Sequence, residues 1–261
     1  MIDSLLIFRE LRQIEYQTVY NSLIDNFIVT KRSNSSNIIK FSLNINNLRV
    51  ILSKNYLTIK GSLPKFYTDN QLSNLTRQAI EKAIRKLENI LGISLDTGYV
   101  YKLELSQIIY LDKHISEYLP IFQKVNYCKK KRYNTSVLFF NNRKSLIVYD
   151  KKEIITKNNI ELEGLEYITT PVKIEIRLKN KLKHQLTQFY KKQAKKGIVY
   201  NFINYEWGNS LTVKDLYTED TYNFLYEFWK NSVLSIKYRQ SPKNSYKEFM
   251  TKVNNTTNYY R

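Results

Sequence analysis

The sequence predicts an α+β fold in which a mostly antiparallel central sheet is flanked by helices. Short segments in which apolar and polar residues alternate, bounded by turn residues, indicate strands, and one longer segment has apolar residues at helical spacing. Hairpins and helices are mixed along the chain, which is typical of this class. The 261 residues suffice for one large domain or two small ones, and we predict a domain at residues 1–200 followed by a helical extension at residues 201–261.

The first quarter of the chain contains several predicted strands. Residues 1–8 give an opening strand, and residues 38–62 give two or three strands separated by turns at 44–47 and 54–55. Residues 31–37 are mostly polar, which indicates a loop.

The clearest helix follows these strands. Asp69 or Asn70 is its predicted N-cap and Gly92 its predicted C-cap, because these residue types satisfy free backbone groups at helix ends. Its apolar face is formed by residues at helical spacing, namely Leu72, Leu75, Ala79, Ala83, Leu87 and Ile90.

The second half of the chain mixes strands and helices. The predicted elements are, in order, a strand around Glu104, a short helix at 114–122, a basic loop at 128–134, a hairpin at 137–149, a strand around Glu175, a basic helix at 181–196 that ends at Gly197, and a helix at 220–231. Basic segments of this kind are most often solvated surface.

Charged residues on the strands around Glu104 and Glu175 are candidates for a functional site. Alternation sets them opposite Leu103, Ile174 and Ile176, so they are expected to converge on one side of a sheet. The residues concerned are Lys102, Glu104, Lys173, Glu175 and Arg177.

Tyr149, at the end of the hairpin, adds a hydroxyl that could attack phosphorus. A tyrosine hydroxyl has a pKa of about 10, so a neighbouring lysine or a metal ion must favour the phenolate. Carboxylates that bind a divalent cation and basic residues that hold a phosphate would complete a DNA strand-transfer site. The alternative is that Tyr149 is a packing residue and that Glu104 and Glu175 face solvent, paired with Lys102 and Lys173.

The composition indicates an anionic partner. The chain has 42 Lys+Arg against 23 Asp+Glu residues, a formal net charge of +19 and a pI of about 9.7. This balance is typical of nucleic-acid-binding proteins. The sequence has no run of about 18 apolar residues and no secretory signal pattern, so we expect a soluble intracellular protein with no membrane partner.

Several other mechanisms lack the residues that they need. The single cysteine, Cys128, excludes an internal disulfide framework and a cysteine-rich zinc site, and we expect it to be an ordinary thiol. His114 and His184 are isolated, so neither an HxH nor an HExxH metal motif is present. No GxxxxGKS or GxxxxGKT loop occurs, so strand separation would require a helicase partner.

Three short segments and the opening residues carry a family resemblance. The segments are Tyr149-Asp150-Lys151, the Lys-x-Glu strand before it and the Lys-Ile-Glu-Ile-Arg-Leu-Lys strand after it, and the chain opens with Met-Ile-Asp-Ser-Leu. Together they resemble the replication initiators of filamentous phages and the related rolling-circle replication proteins of phages and plasmids. The resemblance covers roughly residues 1–197, and the absence of paired histidines fits the filamentous-phage type.

The resemblance implies a rolling-circle initiator nuclease-like fold and a metal-dependent nicking and joining activity. Such initiators cut one strand of supercoiled DNA with a tyrosine, stay joined to the 5′ phosphate, leave a 3′ hydroxyl for synthesis, and later rejoin the strand. By this resemblance Tyr149 is the catalytic nucleophile, Lys151 its companion cation and Arg177 a phosphate-binding residue. Glu104 and Glu175 are the expected ligands of Mg²⁺ or Mn²⁺.

The acidic positions depart from the family pattern at one point. The family more often shows Arg-x-Asp where this chain has Lys102 and Glu104, so the charges are kept but the acid is longer by one methylene. Asp150 and Glu153 are further candidate ligands.

The two basic segments are the predicted DNA-binding surfaces. The expected partners are replication-origin DNA, as supercoiled duplex and as single strand, and the helicase and polymerase of a bacterial host, in whose cytoplasm the protein would act. A noncatalytic DNA- or RNA-binding protein and a basic structural or packaging protein remain alternatives. The predicted DNA-binding residues are Lys129, Lys130, Lys131, Arg132, Lys191, Lys192, Lys195 and Lys196.

Overall fold

The framework of the protein is a large antiparallel sheet. The computed structural model describes residues 1–24, 26–35, 38–68, 74–152, 170–179, 182–198, 200, 211–239 and 243–256. Its strands are β1 (Ile2–Glu10), β2 (Val29–Ser35), β3 (Ile38–Ile45), β4 (Leu48–Ser53), β5 (Tyr56–Ser62), β6 (Tyr99–Leu111), β7 (Phe122–Val125), β8 (Lys129–Arg132), β9 (Ser136–Phe140), β10 (Lys144–Asp150), β11 (Thr170–Leu178) and β12 (Ile236–Tyr238).

Ten of these strands form one sheet, in the order β2-β3-β4-β5-β1-β6-β11-β10-β9-β8. Each neighbouring pair in it is antiparallel. The helices are α1 (Gln13–Ile24), α2 (Leu63–Thr68), α3 (Arg77–Leu91), α4 (Leu182–Ala194), α5 (Glu219–Leu234) and α6 (Lys243–Asn255). The predicted α+β class, with a mostly antiparallel central sheet and flanking helices, is therefore confirmed.

Helix α3 has the cap that was predicted at one end and a different cap at the other. Gly92 ends the helix with φ of 70°, a left-handed conformation that glycine adopts at little cost. At the start, the hydroxyl oxygen of Thr76 accepts a hydrogen bond from the backbone N–H of Ala79 over 3.2 Å. The prediction of Asp69 or Asn70 as N-cap is therefore wrong for this helix, because the helix begins at Arg77. Asp69 and Asn70 lie outside the described residues.

The predicted strands near residues 38–62 and the predicted hairpin are confirmed, whereas two predicted loops are wrong. Residues 38–62 contain three strands, β3, β4 and β5, and the hairpin consists of β9 and β10. The predicted loop at 31–37 is mostly strand β2, as far as its last residue, Ser35. The predicted basic loop at 128–134 contains β8, which forms the edge of the sheet beside β9. A lysine-rich sequence suits an edge strand because charged side chains discourage pairing with another chain.

The predicted short helix at 114–122 is instead two 3-10 turns, Ile115–Glu117 and Leu119–Ile121. The basic helix is α4, and Gly197 follows it with φ of 78°. The helix expected at 220–231 is α5, which is slightly longer than predicted.

The residues after 210 pack on the same apolar core as the sheet. Trp229 on α5 is buried and donates its indole N–H to the backbone oxygen of Ile174 on β11 over 3.1 Å. Strand β12 pairs with β7 in a second, two-stranded sheet. The predicted boundary near residue 200 falls beside residues 199 and 201–210, which lie outside the described chain. None of the described helices is both long and apolar enough to cross a membrane.

Candidate active site

The predicted convergence of charged residues on one face of the sheet is confirmed. Arg177 on β11 lies directly opposite Glu104 on β6, and Tyr149 on β10 lies directly opposite Lys173 on β11. Glu175 lies between Lys173 and Arg177 on the same face, because alternate residues of a strand point to the same side. We call this side of the sheet the charged face.

A β-bulge in β1 brings a further acidic residue to the charged face. Ile2 pairs with Leu105 and Ser4 pairs with Glu104, so one extra residue, Asp3, stands between two pairs that are adjacent on β6. Strict alternation would turn Asp3 to the buried face, whereas the bulge turns it towards Glu104. The sequence analysis missed Asp3 as a site residue. The available signal was the break in alternation, because two polar residues follow one another in an otherwise alternating strand.

The carboxylates of Asp3, Glu104 and Glu175 form a compact cluster. One oxygen of each lies within 4.8 Å of the oxygens of the other two. Three strands supply the three side chains, which we call the carboxylate cluster. Its members are oxygen donors of the type that Mg²⁺ and Mn²⁺ bind, so these are the residues that could hold a metal ion.

Two basic residues hold the carboxylate cluster together. Lys173 Nζ lies 2.6 Å from Asp3 Oδ2 and 3.8 Å from Glu175 Oε2. Arg177 donates from Nε to Glu175 Oε1, and the same nitrogen lies 3.7 Å from Glu104 Oε1. The side chains of Lys173 and Glu175 are only 8% and 3% exposed, so these pairs are poorly screened by water.

The negative charges of the cluster still outweigh these cations at Glu104. Burial, and then the charge of Glu175, raise the pKa of Glu104 above its ordinary value, while Arg177 opposes them. Its ionised form is therefore less favourable here than in water, and an added cation at the cluster would relieve the repulsion.

The hydroxyl of Tyr149 is part of the same arrangement. It donates a hydrogen bond to Glu175 Oε2 over 3.3 Å. Burial, followed by the negative charges of Glu175 and Asp3, raises the pKa of Tyr149 above its ordinary value. The phenol is therefore protonated in this arrangement, and its proton has an acceptor within hydrogen-bond distance.

Lys151 lies beside the carboxylate cluster in a cavity of about 20 Å³, which is enough for about one water molecule. Lys151 is 4% exposed. Burial, and then the positive charge of Lys173, lower the pKa of Lys151 from 10.5 to about 8. The remaining lining residues of the cavity are Asp3, Ser62, Pro64, Lys65, Ser106, Ile108 and Lys173.

Of the two further candidate ligands, Asp150 is not a member of the carboxylate cluster. Asp150 Oδ2 lies 3.3 Å from His114 Nε2, and Oδ1 accepts the backbone N–H of Lys152 over 2.7 Å. Both side-chain oxygens of Asp150 therefore contact groups outside the cluster. Glu153 lies outside the described residues.

The four basic residues of β8 differ in their surroundings. Lys131 pairs with Leu138, which pairs with Ile147, which in turn pairs with Glu175, so Lys131 lies on the charged face three strands from the cluster. At about 4.8 Å per strand this is about 14 Å. Lys129, two residues away, shares that face.

The other two basic residues of β8 point to the opposite side. Lys130 and Arg132 pair with Phe139 and Val137, which are buried. The ammonium group of Lys130 donates to the backbone oxygen of Phe122, so Lys130 has a structural role. On α4 and the residues after it, the four predicted DNA-binding lysines are exposed, namely Lys191, Lys192, Lys195 and Lys196.

No protein-family model matches the chain, and none of the curated proteins is similar enough to indicate a family. The resemblance to rolling-circle replication initiators therefore stays a prediction.

Proposed function

We propose that this chain is a metal-dependent DNA nicking and joining enzyme, a rolling-circle replication initiator that acts through a 5′-phosphotyrosyl intermediate. The observation that carries the proposal is the hydrogen bond between the Tyr149 hydroxyl and Glu175, a member of the carboxylate cluster. It places a nucleophile beside a proton acceptor and a set of metal-ligand oxygens. The net charge of +19 supports DNA as the substrate.

The proposed reaction exchanges one phosphodiester for another. The Tyr149 oxygen attacks the scissile phosphorus and loses its proton to Glu175, which already accepts the hydrogen. The bond from phosphorus to the 3′ oxygen breaks, and that oxygen becomes the 3′ hydroxyl by taking up the proton, which Glu175 returns through water. Attack of a 3′ hydroxyl on the tyrosyl ester reverses these steps and rejoins the strand without ATP.

The remaining residues would position the phosphate and the cluster. Arg177 is 44% exposed and lies at the open side of the cluster, where it can bind a phosphate oxygen. Lys173 holds Asp3 and Glu175 together. A Mg²⁺ or Mn²⁺ ion, when held by Asp3, Glu104 and Glu175, supplies positive charge to the scissile phosphate.

A noncatalytic DNA- or RNA-binding protein is the second candidate. The raised pKa of Tyr149 favours it, since a protonated phenol is a poor nucleophile. The ion pairs of Lys173 and Arg177 also favour it, since they neutralise charge on Asp3 and Glu175 without a metal ion.

One experiment separates the two candidates. Negatively supercoiled plasmids that carry fragments of the source replicon are incubated with the protein and Mg²⁺, and the products are resolved in detergent with and without protease. The nicking enzyme converts one plasmid to the open circle with protein covalently attached, and chelation of the metal prevents this. Retarded but intact supercoiled DNA, with no attached protein, would support the noncatalytic candidate instead.

A further inference from the structure

An aromatic strip lies on the charged face of the sheet, further along β1 and β6 than the carboxylate cluster. We define the aromatic strip as Phe8, Tyr56 and Tyr101. The rings of Phe8 and Tyr56 are stacked with centroids 5.4 Å apart, and the edge of Tyr101 meets Phe8 at 5.7 Å. Tyr101 is 56% exposed, so its ring is available to a binding partner.

A second bulge explains why Tyr101 is exposed. Leu6 pairs with Lys102 and Ile7 pairs with Val100, so Tyr101 is an extra residue on β6. Counted from Lys102, strict alternation would turn the ring of Tyr101 to the buried face. The bulge instead puts the ring on the charged face, next to Lys102.

A row of basic residues separates the aromatic strip from the carboxylate cluster. Arg49 on β4 pairs with Lys60 on β5, Lys60 pairs with Leu6 on β1, and Leu6 pairs with Lys102 on β6. The side chains of Arg49, Lys60 and Lys102 are exposed, and we call them the basic row. It lies two residues, or about 7 Å, from Glu104 along β6.

The spacing of these three features follows from the strand register. Moving along β1, the chain passes Ser4, which pairs with Glu104, then Leu6 in the line of the basic row, and then Phe8 in the aromatic strip. Each step is two residues, about 7 Å. A further cation lies at the far side, where Lys40 Nζ is 5.8 Å from the centroid of the Tyr56 ring.

We propose that the aromatic strip and the basic row form a binding platform for single-stranded DNA that leads into the carboxylate cluster. The proposal rests on the proposed function and deepens it by naming the form of DNA that the face binds and where the strand runs. The basic row contacts phosphates, and the exposed ring of Tyr101 stacks on a base. Stacking on aromatic rings accepts any base, and paired bases in a duplex do not offer their faces in this way.

The charge of the face favours this occupant. Cationic side chains lie on β3, β4, β5 and β6 around the aromatic strip. One acidic residue, Glu10 at the end of β1, pairs with Tyr56 at the edge of the strip. A nucleic-acid strand matches both features, because it offers phosphates to the cations and base faces to the rings. An apolar protein partner would use the rings but leave the cations unpaired.

The test measures the affinity for a labelled oligothymidine in a Tyr149→Phe background, in which no nicking is expected. Tyr101→Ala should weaken binding by about 5- to 100-fold, the usual loss for one stacked base, whereas Tyr101→Phe should bind as the parent does. Tyr127→Ala is the matched control, because Tyr127 is 96% exposed and lies outside the aromatic strip. It should leave the affinity unchanged.

An abasic oligonucleotide of the same length isolates the stacking. It keeps the phosphates and lacks the bases. Tyr101→Ala and the parent should therefore bind the abasic oligonucleotide with equal affinity. The platform is refuted if Tyr101→Ala binds oligothymidine as well as the parent, or if Tyr127→Ala loses as much. It is also refuted if Tyr101→Ala weakens the binding of duplex DNA as much as it weakens the binding of oligothymidine.

This result is distinguishable from a failure of the proposed function. If the protein with Tyr149 intact forms no covalent adduct but Tyr101→Ala still weakens binding, the platform stands and the enzyme proposal fails. If the adduct forms and Tyr101→Ala binds normally, the enzyme stands and the platform fails.

Discussion

The hydroxyl of Tyr149 donates a hydrogen bond to Glu175, and these two residues lie on the neighbouring strands β10 and β11. Glu175 also accepts from Arg177 and belongs to the carboxylate cluster. The same carboxylate therefore connects the candidate nucleophile, a phosphate-binding candidate and the candidate metal ligands. The following predictions test these connections one at a time.

Glu104→Gln should remove the stabilisation by metal without weakening the metal-free protein. A raised carboxyl pKa means that ionisation costs folding free energy, so the contribution of Glu104 to stability falls as pH rises above the ordinary value of 4.5. In EDTA at pH 7, the melting temperature of Glu104→Gln should equal or exceed that of wild type. Saturating Mg²⁺ should raise the melting temperature of wild type only. At 100 times the dissociation constant, the metal should add about 2.7 kcal/mol to the free energy of unfolding of wild type.

The control for this measurement is Asp112→Asn, which removes an exposed acid paired with Lys252. Its response to Mg²⁺ should match that of wild type. An equal rise in melting temperature for Glu104→Gln would show that Glu104 is not a ligand.

Asp3→Asn should impair nicking although Asp3 is distant in sequence from the other site residues. The change removes a ligand charge at nearly constant size and removes the negative charge that lies 2.6 Å from Lys173. We expect the rate at limiting Mn²⁺ to fall by at least about 10-fold, since even indirect metal contacts are worth that much. The rate is measured as open-circle formation across a Mn²⁺ titration, with Ser4→Ala as the neighbouring control. Equal rates for Asp3→Asn and wild type would limit Asp3 to pairing with Lys173.

Lys151→Met should stabilise the protein near neutral pH and lose that advantage in base. The pKa of Lys151 is lowered from 10.5 to about 8, so the unfolded chain binds this proton more tightly than the folded protein does. The penalty is complete below about pH 8 and disappears as pH rises to 10.5. At about 1.4 kcal/mol per pKa unit it is at most about 3.5 kcal/mol.

Urea unfolding of wild type and Lys151→Met across this pH range measures the difference. Lys152→Met, at the exposed neighbouring position, controls for the loss of one positive charge. If Lys151→Met and wild type differ in free energy of unfolding by the same amount at every pH, the pKa of Lys151 is not lowered by burial.

The salt dependence of DNA affinity should separate the lysines of β8. Lys129 and Lys131 lie on the charged face, so replacing both with alanine should reduce the slope of log affinity against log salt on duplex DNA by up to about 1.8, or 0.9 per phosphate. Lys130→Ala should change the slope less and should cost about 1 kcal/mol of stability, because it loses the bond to Phe122.

Neutralising the four exposed lysines on and after α4 tests the second predicted surface in the same assay. A flatter slope of log affinity against log salt would show that DNA phosphates contact Lys191, Lys192, Lys195 and Lys196. An unchanged slope there, with a flatter slope for the β8 variants, would confine duplex binding to the β8 edge.

The sequence predicted the parts of the site that follow strict alternation. Glu104, Glu175 and Arg177 lie on strands whose apolar residues occupy every second position, and Tyr149 ends a hairpin of the same kind. The faces of these strands could therefore be assigned from the pattern alone.

The parts that were not predicted depend on local breaks in this pattern. Asp3 and Tyr101 reach the charged face only because each stands in a bulge, and a bulge is set by the pairing of two strands and not by one of them. Helix α1 has apolar residues on several sides, so its periodicity is weak. Strand β12 has three residues, too few for any periodicity to be detected.

The ion pairs between acidic and basic residues of the site could not be predicted from the sequence either. The contact between Lys173 and Asp3 joins residues 170 positions apart, and no local pattern relates them. Only the order of strands, with β6 between β1 and β11, brings them together.

The most direct test of the central claim is to identify the residue that carries DNA. The protein is incubated with Mg²⁺ and the supercoiled plasmid that it nicks, the bound DNA is digested to a nucleotide, and the modified peptide is sequenced by mass spectrometry. Tyr149→Phe and Tyr133→Phe are treated in parallel, the latter as an exposed tyrosine elsewhere on the surface. We expect the phosphate on Tyr149, no adduct with Tyr149→Phe despite unchanged DNA affinity, and a normal adduct with Tyr133→Phe. A phosphate on another residue, or an adduct that persists in Tyr149→Phe, would contradict the assignment.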